Sequence, residues 1–148
     1  MNDNKNKINT STVTIFWVTL AFSILTILSI FIMNKFEILI SNYFFFSLAI
    51  ILTCLGITLI VFAKKAKITK ISRAFFILTG SSAAGIVIGI ILHNLIYALF
   101  IKIFGEGFWG AIDDEPVFFI FATIICPIAL LIGIIGSIIL ISKKKIII

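Results

Sequence analysis

Residues 79–97 read TGSSAAGIVIGIILHNLIY and hold three of the nine glycines of the chain together with its only histidine. Written as a helix, this stretch places small and polar residues four positions apart, so that each lies beside the previous one on the helix surface: Ser81, Gly85, Gly89, His93 and Tyr97. Gly85 and Gly89 form a Gly-x-x-x-Gly pair, which lets helix backbones approach closely in lipid. The stretch therefore predicts a transmembrane helix with a small-residue packing face and a polar end.

Composition places the whole chain in a membrane. The 148 residues are 61% hydrophobic, and their mean hydropathy is +1.29. A soluble domain of this length could not bury so much apolar surface in one core. The sequence therefore predicts an all-α integral membrane protein.

Four apolar runs are long enough to cross a hydrocarbon layer of about 30 Å at about 1.5 Å per residue. They cover residues 12–33, 43–63, 74–101 and 117–141. The third run is longer than a perpendicular crossing needs and is expected to tilt. Residues 1–10 are predicted to be a polar tail. The expected fold is a compact antiparallel four-helix bundle, with residues 1–148 as a single domain.

The basic residues predict the orientation. Ten of the twelve Lys and Arg residues lie on one side if both termini and the loop after the second span are cytoplasmic, and only Lys35 and Lys102 lie outside. We therefore expect cytoplasmic termini, in the cell (plasma) membrane of a prokaryote. Anionic headgroups of the cytoplasmic leaflet are the expected partners of the net charge of +6, and nucleic acid is not.

A second ladder of small residues follows a proline in the fourth span. Pro127 has no N–H and predicts a helix kink, and Ala129, Gly133 and Ser137 then recur every four residues. With antiparallel third and fourth helices, Ser81 and Gly85 are expected level with residues 129–133. The two ladders can pack on each other or face another subunit, and the short connection favours packing within the chain.

Polar residues at the outer ends of the third and fourth spans form the candidate site. They are His93, Asn94 and Tyr97 on the third span and Asp113, Asp114 and Glu115 at the start of the fourth. Such groups could bind a divalent cation, with His93, Asp113 and Asp114 as ligands, or a headgroup, or act in acid–base catalysis. The structural alternative is a hydrogen-bonded interfacial histidine beside acids that cap a helix. No motif implies a cofactor.

Two other features limit the function classes. No Asp, Glu, Lys or Arg lies in the central part of a span, whereas proton-coupled carriers and ion pathways generally need one. Cys54 and Cys126 both lie in apolar runs without a Cys-x-x-Cys motif, which favours small buried hydrophobes over a redox pair.

Two functional hypotheses follow. The first is a non-enzymatic assembly or accessory subunit, which joins copies of itself or a larger membrane protein through the small-residue faces of the third and fourth helices. The alternative is an outer-face site protein, either a metal- or lipid-dependent enzyme or a small-solute permease, that uses His93, Asn94, Tyr97 and the acids at 113–115. His93→Ala should abolish function only under the second hypothesis, whereas Gly85→Leu should break assembly under the first.

Overall fold

The computed structural model describes residues 2–36, 42–105, 108–109 and 115–143, and these are nearly all helical. The α-helices are α1 (Asn2–Phe36), α2 (Asn42–Lys65), α3 (Lys70–Phe104), α4 (Pro116–Ile120) and α5 (Cys126–Ser142). A π-helical turn, Phe121–Ile125, joins α4 to α5. These three pieces form one continuous fourth span, Pro116–Ser142.

Four helical segments are long and apolar enough to cross a membrane, which confirms the predicted four-span helical class. They are Asn9–Ser29, Phe46–Lys65, Lys70–Phe104 and Pro116–Ser142. Residues 2–10, predicted to be a tail, belong to α1. The helices also extend past the apolar runs that predicted them, because a helix continues to satisfy its backbone hydrogen bonds after it leaves the hydrocarbon.

The α3 helix lies between α2 and the fourth span and packs on both. At its crossing with α2, a Cβ added to Gly56 would lie 2.5 Å from the carbonyl oxygen of Gly80. A Cβ added to Gly80 would lie 2.5 Å from the carbonyl oxygen of Gly56. The two backbones are therefore in direct contact, and neither position has room for a side chain.

The crossing of α3 with the fourth span also uses glycine. A Cβ on Gly85 would lie 2.8 Å from Cys126 Sγ, and one on Gly89 would lie 2.9 Å from the Cβ of Ala122. These two glycines face the π-helical turn and its immediate neighbour rather than a free surface. The Gly-x-x-x-Gly pair is thus part of the packing within the chain.

The register of this crossing differs from the expected one by two to three residues. A Cβ on Gly133 would lie 2.8 Å from the backbone nitrogen of Thr79, so Thr79 and not Ser81 meets Gly133. Ser81 is exposed, and its hydroxyl donates to the carbonyl of Ile77 at 2.7 Å. The four-residue repeat thus has glycines at the contact between α3 and the fourth span, but it also includes Ser81, which faces away from that contact.

A polar stripe packs α1 against α2. Its buried residues alternate at three and four positions: Asn9, Thr12, Phe16, Thr19 and Ser23. The hydroxyl of Thr19 donates to the Ile15 carbonyl at 2.8 Å, and that of Ser23 to the Thr19 carbonyl at 2.9 Å. Bonding to the helix's own backbone satisfies these hydroxyls without water. Small polar residues therefore line this interface of α1, although hydropathy alone predicts that this part of its surface faces lipid.

Asn9 joins the start of α1 to the connection between α2 and α3. Its side-chain amide donates to the carbonyl of Lys67 at 3.3 Å, and the backbone N–H of Lys67 donates to Asn9 Oδ1 at 2.9 Å. Arg73 Nη2 donates to the nearby Ala66 carbonyl at 3.1 Å. Side-chain hydrogen bonds from two helices thus hold this short connection.

The π-helical turn lies directly before Pro127, at the predicted kink. The N–H of Cys126 donates to the carbonyl of Phe121, five residues earlier. Since Pro127 has no N–H, the regular hydrogen-bond ladder is already broken here, and a turn with one additional residue absorbs the break. The kink proline therefore coincides with a change of helix type.

Candidate functional site

His93 and Glu115 meet where α3 faces the start of α4. His93 Nδ1 lies 2.9 Å from the Glu115 carbonyl oxygen and 3.4 Å from its Oε2. The two side chains are 14% and 5% exposed. With its proton on Nδ1, the imidazole donates to Glu115. The structure thus brings the only histidine to one of the three candidate acids, while Asp113 and Asp114 lie outside the described residues.

The carboxylate of Glu115 also caps the fourth span. It accepts from the N–H of Val117 at 2.8 Å and from that of Phe118 at 3.0 Å. Pro116 occupies the first position of the helix, where its missing N–H costs nothing. The pair therefore links α3 to the beginning of the next span, an arrangement with a clear structural role.

Tyr97 belongs to an aromatic cluster one turn beyond His93. Its ring stacks on Trp109 with 6.2 Å between centroids and 15° between planes. Trp109 also contacts Phe100 at 5.5 Å and Phe108 at 5.1 Å. The indole Nε1 of Trp109 is buried without a hydrogen-bond partner among the described residues. These rings cover the C-terminal end of α3 beside the His93–Glu115 pair.

Asn94 lies on a different face of α3 from His93. It is exposed, and its Nδ2 donates to the Ile90 carbonyl at 2.8 Å. It lines a groove of about 510 Å³ between α2 and α3, whose wall on α2 includes Ala49, Thr53 and Cys54. The predicted set therefore divides: His93 faces the start of the fourth span, Tyr97 stacks on Trp109, and Asn94 faces this α2/α3 groove.

The remaining candidates have varied surroundings. Among the residues that the structure describes, no group of three or more His, Cys, Asp or Glu side chains could hold a metal ion. Cys54 is exposed and Cys126 is buried, and both are free. Ala129 is partly buried, while Ser137 is buried and its hydroxyl has no partner in the described part of the chain.

Comparisons with protein-family models, with curated proteins and with solved structures find no match to this chain.

Proposed function

We propose that this protein is a non-enzymatic, multi-pass protein of a prokaryotic cell membrane, with cytoplasmic termini, that assembles with other copies of itself. The orientation is supported by the distribution of Lys and Arg along the chain. Self-assembly is supported by one observation above all, the α2/α3 groove, whose lining is mainly apolar.

The assembly surface lies away from the glycine faces. Gly85, Gly89 and Gly133 each have an atom of the neighbouring helix within 3 Å of an added Cβ, so these faces are already occupied within one chain. The α2/α3 groove instead offers small side chains that allow a helix to approach. Asn94 adds an amide that can hydrogen-bond to a neighbouring helix.

The outward face of α1 is the element of a second copy that fits this groove. Leu25, Leu28 and Ile32 are 48%, 50% and 43% exposed and follow one another at helical spacing on the side away from the polar stripe. Phe22 packs against the cluster that contains Leu52, so these later residues are level with the first half of α2. Since two copies in one membrane have the same orientation, ridge and groove lie at the same depth. Such a head-to-tail contact closes into a ring or extends as a chain.

Cross-linking through Cys54 tests this contact. Cys54 lines the α2/α3 groove, and Ala21 is an exposed residue on the outward face of α1 at about the same depth. We expect Ala21→Cys to give covalent dimers with a short bifunctional maleimide in native membranes, and Cys54→Ser to remove them. Native mass spectrometry of the wild type should show a mass of several chains.

The matched control is Ile128→Cys, an exposed position of the fourth span. It lies close to Leu130, which packs in the same cluster as Leu52, so its depth is similar to that of Cys54. Equal cross-linking from Ile128→Cys would mean random collision, and a single-chain mass for the wild type would contradict self-assembly. A second protein in the spectrum, or a retained lipid that is lost on substitution of residues in the α2/α3 groove, would assign this groove to that partner instead.

The second candidate function is an outer-face site, which the approach of His93 to Glu115 favours. It would make the protein a metal- or lipid-dependent enzyme or a small-solute permease that uses His93 and Glu115, whereas Asn94 lines the α2/α3 groove instead. The same two residues also suffice as a clamp between helices, because an interfacial histidine needs only a hydrogen-bond partner.

His93→Ala separates these two roles. If the pair is a clamp, we expect the variant to lose about 1–2 kcal/mol of stability, to retain its Ala21→Cys cross-link, and to bind the same metals and lipids as the wild type. Denaturation with SDS and metal and lipid analysis of the purified protein would measure this. Loss of a bound metal or lipid with unchanged stability would instead identify the outer-face site as functional.

A further inference from the structure

A second groove lies between α1 and α2, at the end of the bundle where the lysines collect. Its volume is about 480 Å³, and it is lined by Thr10, Ser11, Thr14, Ile15 and Phe62. Three of these five side chains carry a hydroxyl and the other two are apolar. The groove therefore combines hydrogen-bonding groups with an apolar wall.

The position of this groove and the charges around it favour one kind of ligand. The second span ends at Lys65, so Phe62 lies one turn inside the boundary between hydrocarbon and headgroups. Lys65 follows Phe62 by three residues and lies on the same face of α2. The backbone of Lys67 is bound to Asn9, directly before Thr10 in α1. Both lysines are exposed, so two cations flank the groove at headgroup level.

Acidic residues are scarce at this end of the molecule. Residues 42–105 contain no Asp or Glu, and Glu115, the acid whose side chain the structure describes, lies at the opposite end beside His93. Asp3 is the single acid before the first span. The groove is thus set in a strongly positive surface, where an anion is attracted to the lysines with little competition from carboxylates of the chain.

We propose that the α1/α2 groove binds the phosphate-bearing headgroup of an anionic phospholipid. The ammonium groups of Lys65 and Lys67 neutralise the phosphate, and the threonine hydroxyls donate to its oxygens. Ile15 and Phe62 contact the glycerol and the first carbons of an acyl chain. Anionic phospholipids of the cytoplasmic leaflet meet this end of the bundle in the predicted orientation. The site is independent of self-assembly through the α2/α3 groove.

The Thr14 hydroxyl can serve a ligand although it bonds to its own helix. Thr14 Oγ1 donates to the carbonyl of Thr10 at 3.1 Å in an exposed position. A helical carbonyl of this kind already accepts its regular backbone bond, so the hydroxyl can rotate toward a phosphate oxygen without leaving a buried acceptor unpaired. A bound headgroup therefore replaces a secondary interaction and leaves the helix intact.

Lipid retention measures this site directly. The full chain is purified from mixed phosphatidylglycerol and phosphatidylcholine, and native mass spectrometry counts the lipids that stay bound. We expect one phosphatidylglycerol per chain in preference to phosphatidylcholine. Lys65→Gln with Lys67→Gln should lower its retention by about tenfold. Thr10→Val with Thr14→Val, which keeps the charge and the side-chain shape at two exposed positions, should lower it by about threefold.

Lys143→Gln is the single-charge control, to be compared with Lys65→Gln alone, since Lys143 is an exposed lysine that follows α5 and lies outside the groove. It should retain phosphatidylglycerol like the wild type. An equal loss in Lys143→Gln, or unchanged retention in the double valine variant, would show diffuse charge attraction and overturn the site. Displacement of the lipid by millimolar inorganic phosphate would overturn the lipid assignment, because a soluble phosphate would then suffice.

Discussion

Replacing Gly80 by leucine is expected to cost about 3 kcal/mol or more and to leave little folded protein in mild detergent. The added side chain would start 2.5 Å from the Gly56 carbonyl oxygen, and that oxygen belongs to a helix backbone that cannot rotate away. The two helices would have to separate along their whole contact, which forfeits packing on both sides of the crossing. Titration with SDS, followed by circular dichroism and size-exclusion chromatography, would measure the loss.

Ser81→Leu is the matched control, one residue further along the same helix. Ser81 is exposed and bonds only to the backbone of its own helix, so leucine there should change stability by less than about 0.5 kcal/mol. A large effect at Ser81 together with a small one at Gly80 would mean that α3 is rotated by about 100° relative to the described packing.

Replacing Asn9 by leucine should have the second largest effect, about 2–4 kcal/mol. The change removes the hydrogen bonds at 3.3 and 2.9 Å and leaves both polar groups of the Lys67 backbone without that partner. Unpaired backbone groups cost about 1–3 kcal/mol each where water is excluded. We expect the connection between α2 and α3 to open first, which faster hydrogen exchange at Lys67 and Ile68 would report.

The same substitution at Asn94 supplies the comparison. Asn94 is exposed, and its side-chain amide donates to a carbonyl of its own helix at 2.8 Å, so Asn94→Leu should be nearly neutral for stability. Equal destabilisation by the two variants would indicate a general intolerance of leucine for asparagine and would remove the special role of Asn9.

Hydropathy was sufficient to predict the number of spans, since each apolar run is longer than any soluble helix needs. It could not predict the start of α1, because the bonds between Asn9 and Lys67 join residues 58 positions apart. A local pattern contains no signal for such a pairing. The polar stripe on α1 likewise becomes visible as an interface only once its neighbour is known.

Glycine spacing predicted the packing of α3 with the fourth span more closely than its packing with α2. Gly85 and Gly89 lie four residues apart on one helix, so their spacing alone predicts a packing face. Gly56 and Gly80 stand on different helices, and their mutual contact follows from the register of a long antiparallel pair. The spacing of small residues within α3 also does not show which of Gly80 and Ser81 faces α2, although only Gly80 lies at the crossing with α2.

The position of His93 could be predicted, and that of Asn94 could not, for a similar reason. Measuring about 1.5 Å per residue from the lysine-rich end placed His93 near the start of the fourth span, where it lies beside Glu115. Adjacent residues of a helix point about 100° apart, so Asn94 had to face elsewhere. The side that it would face depended on the position of α2, which one helix alone does not determine.

The π-helical form of the turn before Cys126 determines whether Glu115 meets His93. Such a turn holds one residue more than an α-helical turn of similar rise, so Phe121–Ile125 sets the angular phase of everything before it relative to everything after it. If the same residues formed a regular α-helix, with Cys126 still against Gly85, Glu115 would lie about 100° further around the axis. The carboxylate would then point away from His93. In a chain one residue shorter here, an α-helical turn would replace the π-helical one and leave Glu115 close to its present position, so a single-codon deletion in this turn is expected to preserve the pair.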